Sequence, residues 1–129
     1  MHRLVLIASV LGLLLLTSCA GKTLEVKNSN GRIMGSVDVQ GAKTATMLSS
    51  HGETLGKVRG TIVRDTSGKH IGTIAEREGN TVILDTTDHP LGSVNGQNCY
   101  GKGQEVLGSV SGEVDSTVAA GACLVFFLQ

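Results

Sequence analysis

Residues 61–79 read "TIVRDTSGKHIGTIAEREG". Two runs rich in β-branched residues flank a Thr-Ser-Gly turn, and a second glycine closes the stretch. Short β-prone runs joined by a polar, glycine-bearing turn signal a β-hairpin. The second run recurs along the chain as "RIMGSVDV" (32–39), "ETLGKVRG" (53–60), "KHIGTIAE" (69–76), "HPLGSVNG" (89–96) and "EVLGSVSG" (105–112). Each copy carries a large apolar residue, a glycine, a small or polar residue, and Val or Ile. A degenerate sixth copy, "AAGACLVF" (119–126), places Ala120, Gly121 and Cys123 in the pattern positions. The repeat glycines are Gly35, Gly56, Gly72, Gly92, Gly108 and Gly121, spaced 21, 16, 20, 16 and 13 residues apart.

A second β-prone run and a polar turn precede each copy, so each unit reads as one hairpin. Turn residues between units ("VQGAK", "VRGT", "REGN", "NGQN", "SGEVD") chain the hairpins into an antiparallel meander. Propeller blades need about 40 residues, more than these units offer. A solenoid of such units would leave end edges to be capped. About six hairpins, or about twelve strands, would instead close on themselves and abolish both edges. The expectation is therefore an all-β domain over residues 23–129, a small closed antiparallel barrel of about six hairpin repeats. Its tail, "DSTVAAGACLVFFLQ" (115–129), does not alternate from Val118 to Leu128, which marks a segment buried on every side. Two forms satisfy that, a last central strand or a short helix plugging the barrel with Asp115 or Ser116 as its cap. The β-branched and aromatic residues of 123–128 lean towards strand.

Period-two alternation puts Gly72 and Ile74 on one face and Ile71 on the other. A glycine recurring at this point marks a bend or close strand approach where a side chain would collide. By the same alternation Met34, Leu55, Ile71, Leu91 and Leu107 form an apolar set opposite the Gly/Val face. It either packs between neighbouring hairpins or forms a rim for lipid or a partner.

The N-terminus carries an address. After the basic start "MHR", an apolar run of 13 residues (4–16) is too short to span a bilayer comfortably and suits a signal-peptide core. "LTSC" (16–19) resembles the bacterial lipobox, whose Cys receives a diacylglyceryl group and becomes the mature N-terminus. Residues 1–18 are thus expected to be a lipoprotein signal peptide, Cys19 the lipidation site and 19–22 a short linker. The expected location is the cell envelope, with the membrane as partner through Cys19. Ala20 after the Cys directs such a protein to the outer membrane in a Gram-negative host. With Cys19 acylated, Cys99 and Cys123 remain as a pair in an oxidising compartment, either disulfide-bonded or as two buried small apolar residues. Neither a CxxC spacing nor a zinc pattern is present.

Charge balances overall but not along the chain. Residues 22–77 hold nine Lys/Arg against five Asp/Glu, and residues 78–129 hold one against six. In a ring of units one arc is basic, which is either a solvated surface with charge drifting between repeats or a face for an anionic headgroup or a partner. There is no basic stripe interleaved with aromatics, so nucleic acid is not an expected partner.

"IVRDTSGKHIGTI" (62–74) resembles the hairpin signature of the Tubby-like superfamily, which includes scramblase-like and LURP-one-related proteins. The multi-copy, compact, lipobox-bearing arrangement over residues 23–128 is more similar still to the bacterial β-flower proteins, shallow barrels whose hairpins radiate as petals. In Tubby-like proteins a hydrophobic helix threads the barrel. Their basic phosphoinositide pocket does not map residue by residue onto this chain, so that ligand is not carried over. The expectation is a lipid-anchored, non-enzymatic binding or scaffolding module without cofactor, contacting membrane lipid or an envelope protein. The alternative is an envelope hydrolase or metal-dependent enzyme built on His51, His70 and His89, which fall near hairpin tips at different offsets from the repeat glycines. Asp65, Asp85 and Asp88 sit beside Ser and Thr, where turn capping accounts for them.

Overall fold

The computed structural model describes residues 21–129. The signal segment and Cys19 lie outside the described residues. Ten strands follow in order: β1 (Lys22–Asn28), β2 (Ile33–Gly41), β3 (Thr44–Ser49), β4 (Thr54–Arg59), β5 (Ile62–Asp65), β6 (His70–Arg77), β7 (Asn80–Leu84), β8 (Pro90–Asn95), β9 (Asn98–Gly101) and β10 (Val106–Val110). One helix, α1 (Ser116–Phe127), ends the chain. Every strand pairs antiparallel with its neighbours in sequence, and β10 pairs with β1, which closes the barrel. No edge is left among these strands, the arrangement that protects a small sheet from edge-to-edge association.

The closed antiparallel barrel agrees with the sequence reading, while two finer expectations need correction. The barrel has five hairpins, not about six, and ten strands rather than about twelve. The segment read as a sixth copy is α1, and residues 115–129 form no strand. The reason lies in the packing. Once β10 has paired with β1, no ladder remains for another strand, so a segment that is apolar all round must satisfy its own backbone, and a helix does that. Asp115 starts it, its Oδ1 accepting from the Thr117 N–H at 2.9 Å. Alanines 119, 120 and 122 favour the helix and keep it thin.

Thinness is needed because the annulus around α1 is filled from the wall. Val26, Val37, Met47, Val58, Val63, Ile74, Ile83, Val94, Cys99 and Val110 all point inward and are buried, as are helix residues 117–125. An eight-stranded barrel is just filled by its own side chains; ten strands leave a wider interior, and the helix occupies it. Gly121 lets the helix pass the wall at Val58, since a Cβ there would lie 2.7 Å from the Val58 Cβ. Cys99 on β9 is disulfide-bonded to Cys123 on α1, with 5.7 Å between the Cα atoms, which ties the helix to the wall.

The meander has two ends. The five hairpin turns gather at one, the tip end; the β2–β3, β4–β5, β6–β7 and β8–β9 connections, the start of β1 and the start of α1 gather at the other, the base. The helix runs from base to tips. Near the tips each hairpin shifts register at its repeat glycine. Thus Val63 faces Gly72 but Arg64 faces His70, which leaves Ile71 as an extra residue, and Met34, Leu55, Leu91 and Leu107 occupy the same place in the other hairpins. Such a bulge interrupts alternation and bends the strand. All five extra residues are partly buried and packed against the core.

The bulge glycines admit the helix. A Cβ at Gly35, Gly56, Gly72, Gly92 or Gly108 would come within 3.0 Å of a carbonyl oxygen on the next strand around the barrel. Each also faces one side chain from the end of α1 or the residue beyond it. Leu124 lies at Gly72, Val125 at Gly56, Phe126 at Gly35, Phe127 at Gly108 and Leu128 at Gly92. Five successive residues therefore visit the five hairpins in ring order, one hairpin per residue. Among the described residues no helix is long and apolar enough to cross a membrane.

Candidate functional site

The tips share one construction. In four of them the first residue carries a side-chain acceptor that takes two backbone N–H groups: Asn28 from Asn30 and Arg32, Ser49 from His51 and Glu53, Asp65 from Ser67 and Lys69, and Asp85 from Thr87 and His89. The fifth tip begins at Gly101 and keeps only the backbone bonds, Gly101 N–H to the Glu105 carbonyl and Gln104 N–H to the Gly101 carbonyl. These Asx and Ser turns explain the polar tips without invoking chemistry.

The Ser67 hydroxyl, then the Lys69 N–H, hold the Asp65 carboxyl below its ordinary value. For Asp85 the His89 N–H acts most, followed by the Thr87 hydroxyl. Both groups therefore stay ionised below the pH at which an unfolded carboxylate gains its proton. Depressed folded values mean that their contribution is complete above the unfolded value of about 3.8 and is lost as pH falls through the lower folded value. The Lys69 and His89 amide proton shifts are expected to titrate with midpoints below 3.8. A midpoint at or above that value would show that the turns give the carboxylates no support.

The histidines are held within their own hairpins. His70 Nε2 lies 2.8 Å from the Gly72 carbonyl oxygen and 3.0 Å from Thr73 Oγ1. His89 Nδ1 lies 2.7 Å from Thr87 Oγ1 and 3.7 Å from Asp85 Oδ1. His51 is exposed at the second tip. Among the described residues no group of three His, Cys, Asp or Glu side chains is placed to hold a metal ion.

Two surfaces among the described residues bear on binding. At the tip end, Met34, Leu55, Ile71, Leu91 and Leu107 pack with partly buried Phe126, Phe127 and Leu128 around the end of the helix. Ile33 and Val106, each 49 % exposed, extend that apolar ground on the two strands that flank β1. The repeat glycines Gly35, Gly56, Gly72, Gly92 and Gly108 lie beneath it, whereas Gly121 lies inside the helix.

The second surface is a cleft of about 520 Å3 on the outer wall between the second and third hairpins. Lys57, Arg59 and Arg64 line it together with Thr54, Thr66 and Asp65. In the β4–β5 register Lys57 stands directly opposite Arg64. Sequence reasoning found the basic arc but not this cluster. Its signal was the alternation in "KVR" and "VRD", which puts all three cations on the outer face once β4 and β5 are paired.

No family, no curated protein and no solved structure matches the chain in comparisons with each.

Proposed function

We propose that this chain is a lipid-anchored, non-enzymatic binding module of the bacterial cell envelope, of the β-flower kind, held to the membrane through Cys19. The observation that carries the reading is where β1 begins. Lys22 opens β1 at the base, only three residues after the cysteine of the lipobox-like "LTSC". An extended chain covers at most about 3.6 Å per residue, so the tether reaches about 10 Å. A diacylglyceryl-bearing Cys19 then brings the base to the bilayer and turns the tips and most of the wall away from it. Lys22, Lys43, Arg59 and Arg77 stand at that base, partly offset by Glu78, Glu113 and Asp115. Binding to envelope components other than the anchoring bilayer falls to the wall and the tips. The closed ring of hairpins supports the β-flower likeness, and the helix inside it supports the wider Tubby-like one.

Intact-mass and N-terminal analysis of the membrane fraction tests the anchor. The mature chain should begin at Cys19 and carry acyl mass. Cys19→Ser should leave residues 1–18 attached and no acyl group. An acylated Cys19→Ser product, or a wild-type chain cleaved elsewhere, would end the proposal. Liposome flotation of residues 20–129 adds the second arm. With no acyl chain the barrel should stay unbound on neutral lipid, which leaves the lipid as the tether.

A further inference from the structure

The cleft over β4 and β5 has a composition that neither the fold nor the anchor explains. Lys57 and Arg64 are directly opposed across the ladder, an arrangement that destabilises a sheet, and Arg59 follows on the same face. Among the described residues no carboxylate lies within 4.0 Å of any of the three. Like charges held together with no carboxylate at ion-pair distance suit a ligand that supplies the missing charge. Arg64 is already positioned, its Nη1 donating to the Gly68 carbonyl at 3.0 Å, with the rest of the guanidinium free to form a fork with an anion.

The remaining lining narrows the class of ligand. Asp65 borders the same cleft and keeps its charge; the bonds from the Ser67 N–H, the Ser67 hydroxyl and the Lys69 N–H all fall on Oδ1, which leaves Oδ2 for a donor. A carboxylate beside three cations disfavours a bare polyanion and favours a molecule that brings hydroxyl donors along with its charge. Thr54 and Thr66 add two hydroxyls at the tip side, and Ile62 adds an apolar patch of floor. A volume of about 520 Å3 accommodates two or three sugar rings rather than a lone ion.

We propose that this cleft is a binding site for an acidic saccharide, whose anionic group meets Lys57, Arg59 and Arg64 while its hydroxyls meet Asp65 Oδ2, Thr54 and Thr66. The inference rests on the envelope-module reading for where such a ligand is met. With the base at the bilayer only Arg59 of the cleft's polar residues stands near it, while Lys57, Arg64, Thr54 and Thr66 rise along the wall towards the tips. The saccharide is therefore part of an envelope polymer rather than a headgroup of the anchoring leaflet.

The test is calorimetric titration of the full mature lipoprotein in neutral detergent with tri-galacturonate, and with maltotriose and inorganic phosphate as controls. Tri-galacturonate should bind at least ten-fold more tightly than either control. Arg64→Gln and Lys57→Gln should each weaken it about ten-fold, and Thr66→Val by several-fold. Lys57→Gln should also raise Tm without ligand by about 2 °C, because it removes the opposed like charges; a structural role for Lys57 would lower it. A parallel arm uses neutral vesicles carrying a uronic-acid glycolipid, which should not compete with the free trisaccharide for the anchored protein. Equal binding of phosphate, binding that survives both substitutions, no binding, or competition by the glycolipid overturns the proposal. The anchor is read separately from the acyl mass on Cys19, so failure of the cleft and failure of the envelope reading give different results.

Discussion

Replacing Gly72 with alanine is expected to cost about 3 kcal/mol of stability, although the same change at an ordinary strand position gains a few tenths to one. The sign reverses because the new Cβ meets two fixed neighbours. It would lie 2.7 Å from the Leu84 carbonyl oxygen and closer still to the Leu124 side chain. The carbonyl belongs to the β6–β7 ladder, and Leu124 is 1 % exposed at the end of a helix with wall on every side. Neither can retreat without opening the barrel or shifting the helix. Trimming the helix with Leu124→Ala therefore rescues Gly72→Ala only in part. Gly56→Ala should be the mildest of the five, since its closest approaches are 2.9 Å to the Arg64 carbonyl and 3.0 Å to Val125. Urea unfolding checks this through a lower midpoint at unchanged m-value. Gly72→Ala as stable as wild type would mean that the glycines do not seat the helix.

Loss of the Cys99–Cys123 bond is expected to cost about 3.5 kcal/mol, the chain-entropy value for a closed loop of this length. The two residues stand 24 apart in sequence, and the loop between them contains β10 and most of α1. Without the bond, an unfolded chain explores that loop freely before the helix can be returned to the barrel. Cys99→Ala with Cys123→Ala, and wild type under strong reductant, should show the same loss of stability. Agreement between the two would exclude an effect of the substitutions themselves. If thiol alkylation shows both cysteines reduced and the unfolding midpoint has not moved, the entropic account fails.

The hairpins were legible in the sequence because each announces itself twice, by a polar five-residue tip and by a glycine two residues before Val or Ile. Closure was legible too, since short units with turns at both ends leave few ways to avoid edges. The tail was not. From Val118 to Leu128 the residues suit burial on all sides, and burial alone does not distinguish a central strand from a central helix. What decided it was long-range, the pairing of Val26 with Val110 that left no ladder open. Alternation placed Gly72 and Ile74 on one face but did not reveal the bulge, which adds one residue to the count at Ile71 and its equivalents. Lys57 and Arg64 were visible as charges in a basic arc, but their opposition depends on the β4–β5 register, which no local pattern prints.

The circuit of Leu124 to Leu128 past five glycines also bears on how such a chain can change by duplication. In a stacked repeat array, units can be added or lost because each touches only its neighbours. Here every hairpin also touches its own residue on a shared axle, and each helix residue turns about 100° where a regular five-part ring needs about 72°. Side chains of different size, from Val125 at Gly56 to Phe126 at Gly35, absorb that mismatch slot by slot. A copied or deleted hairpin would put every later slot out of step with the axle. The repeats read as equivalents in the sequence, yet in the folded barrel they are not interchangeable, and their number is matched to five residues near the end of the chain.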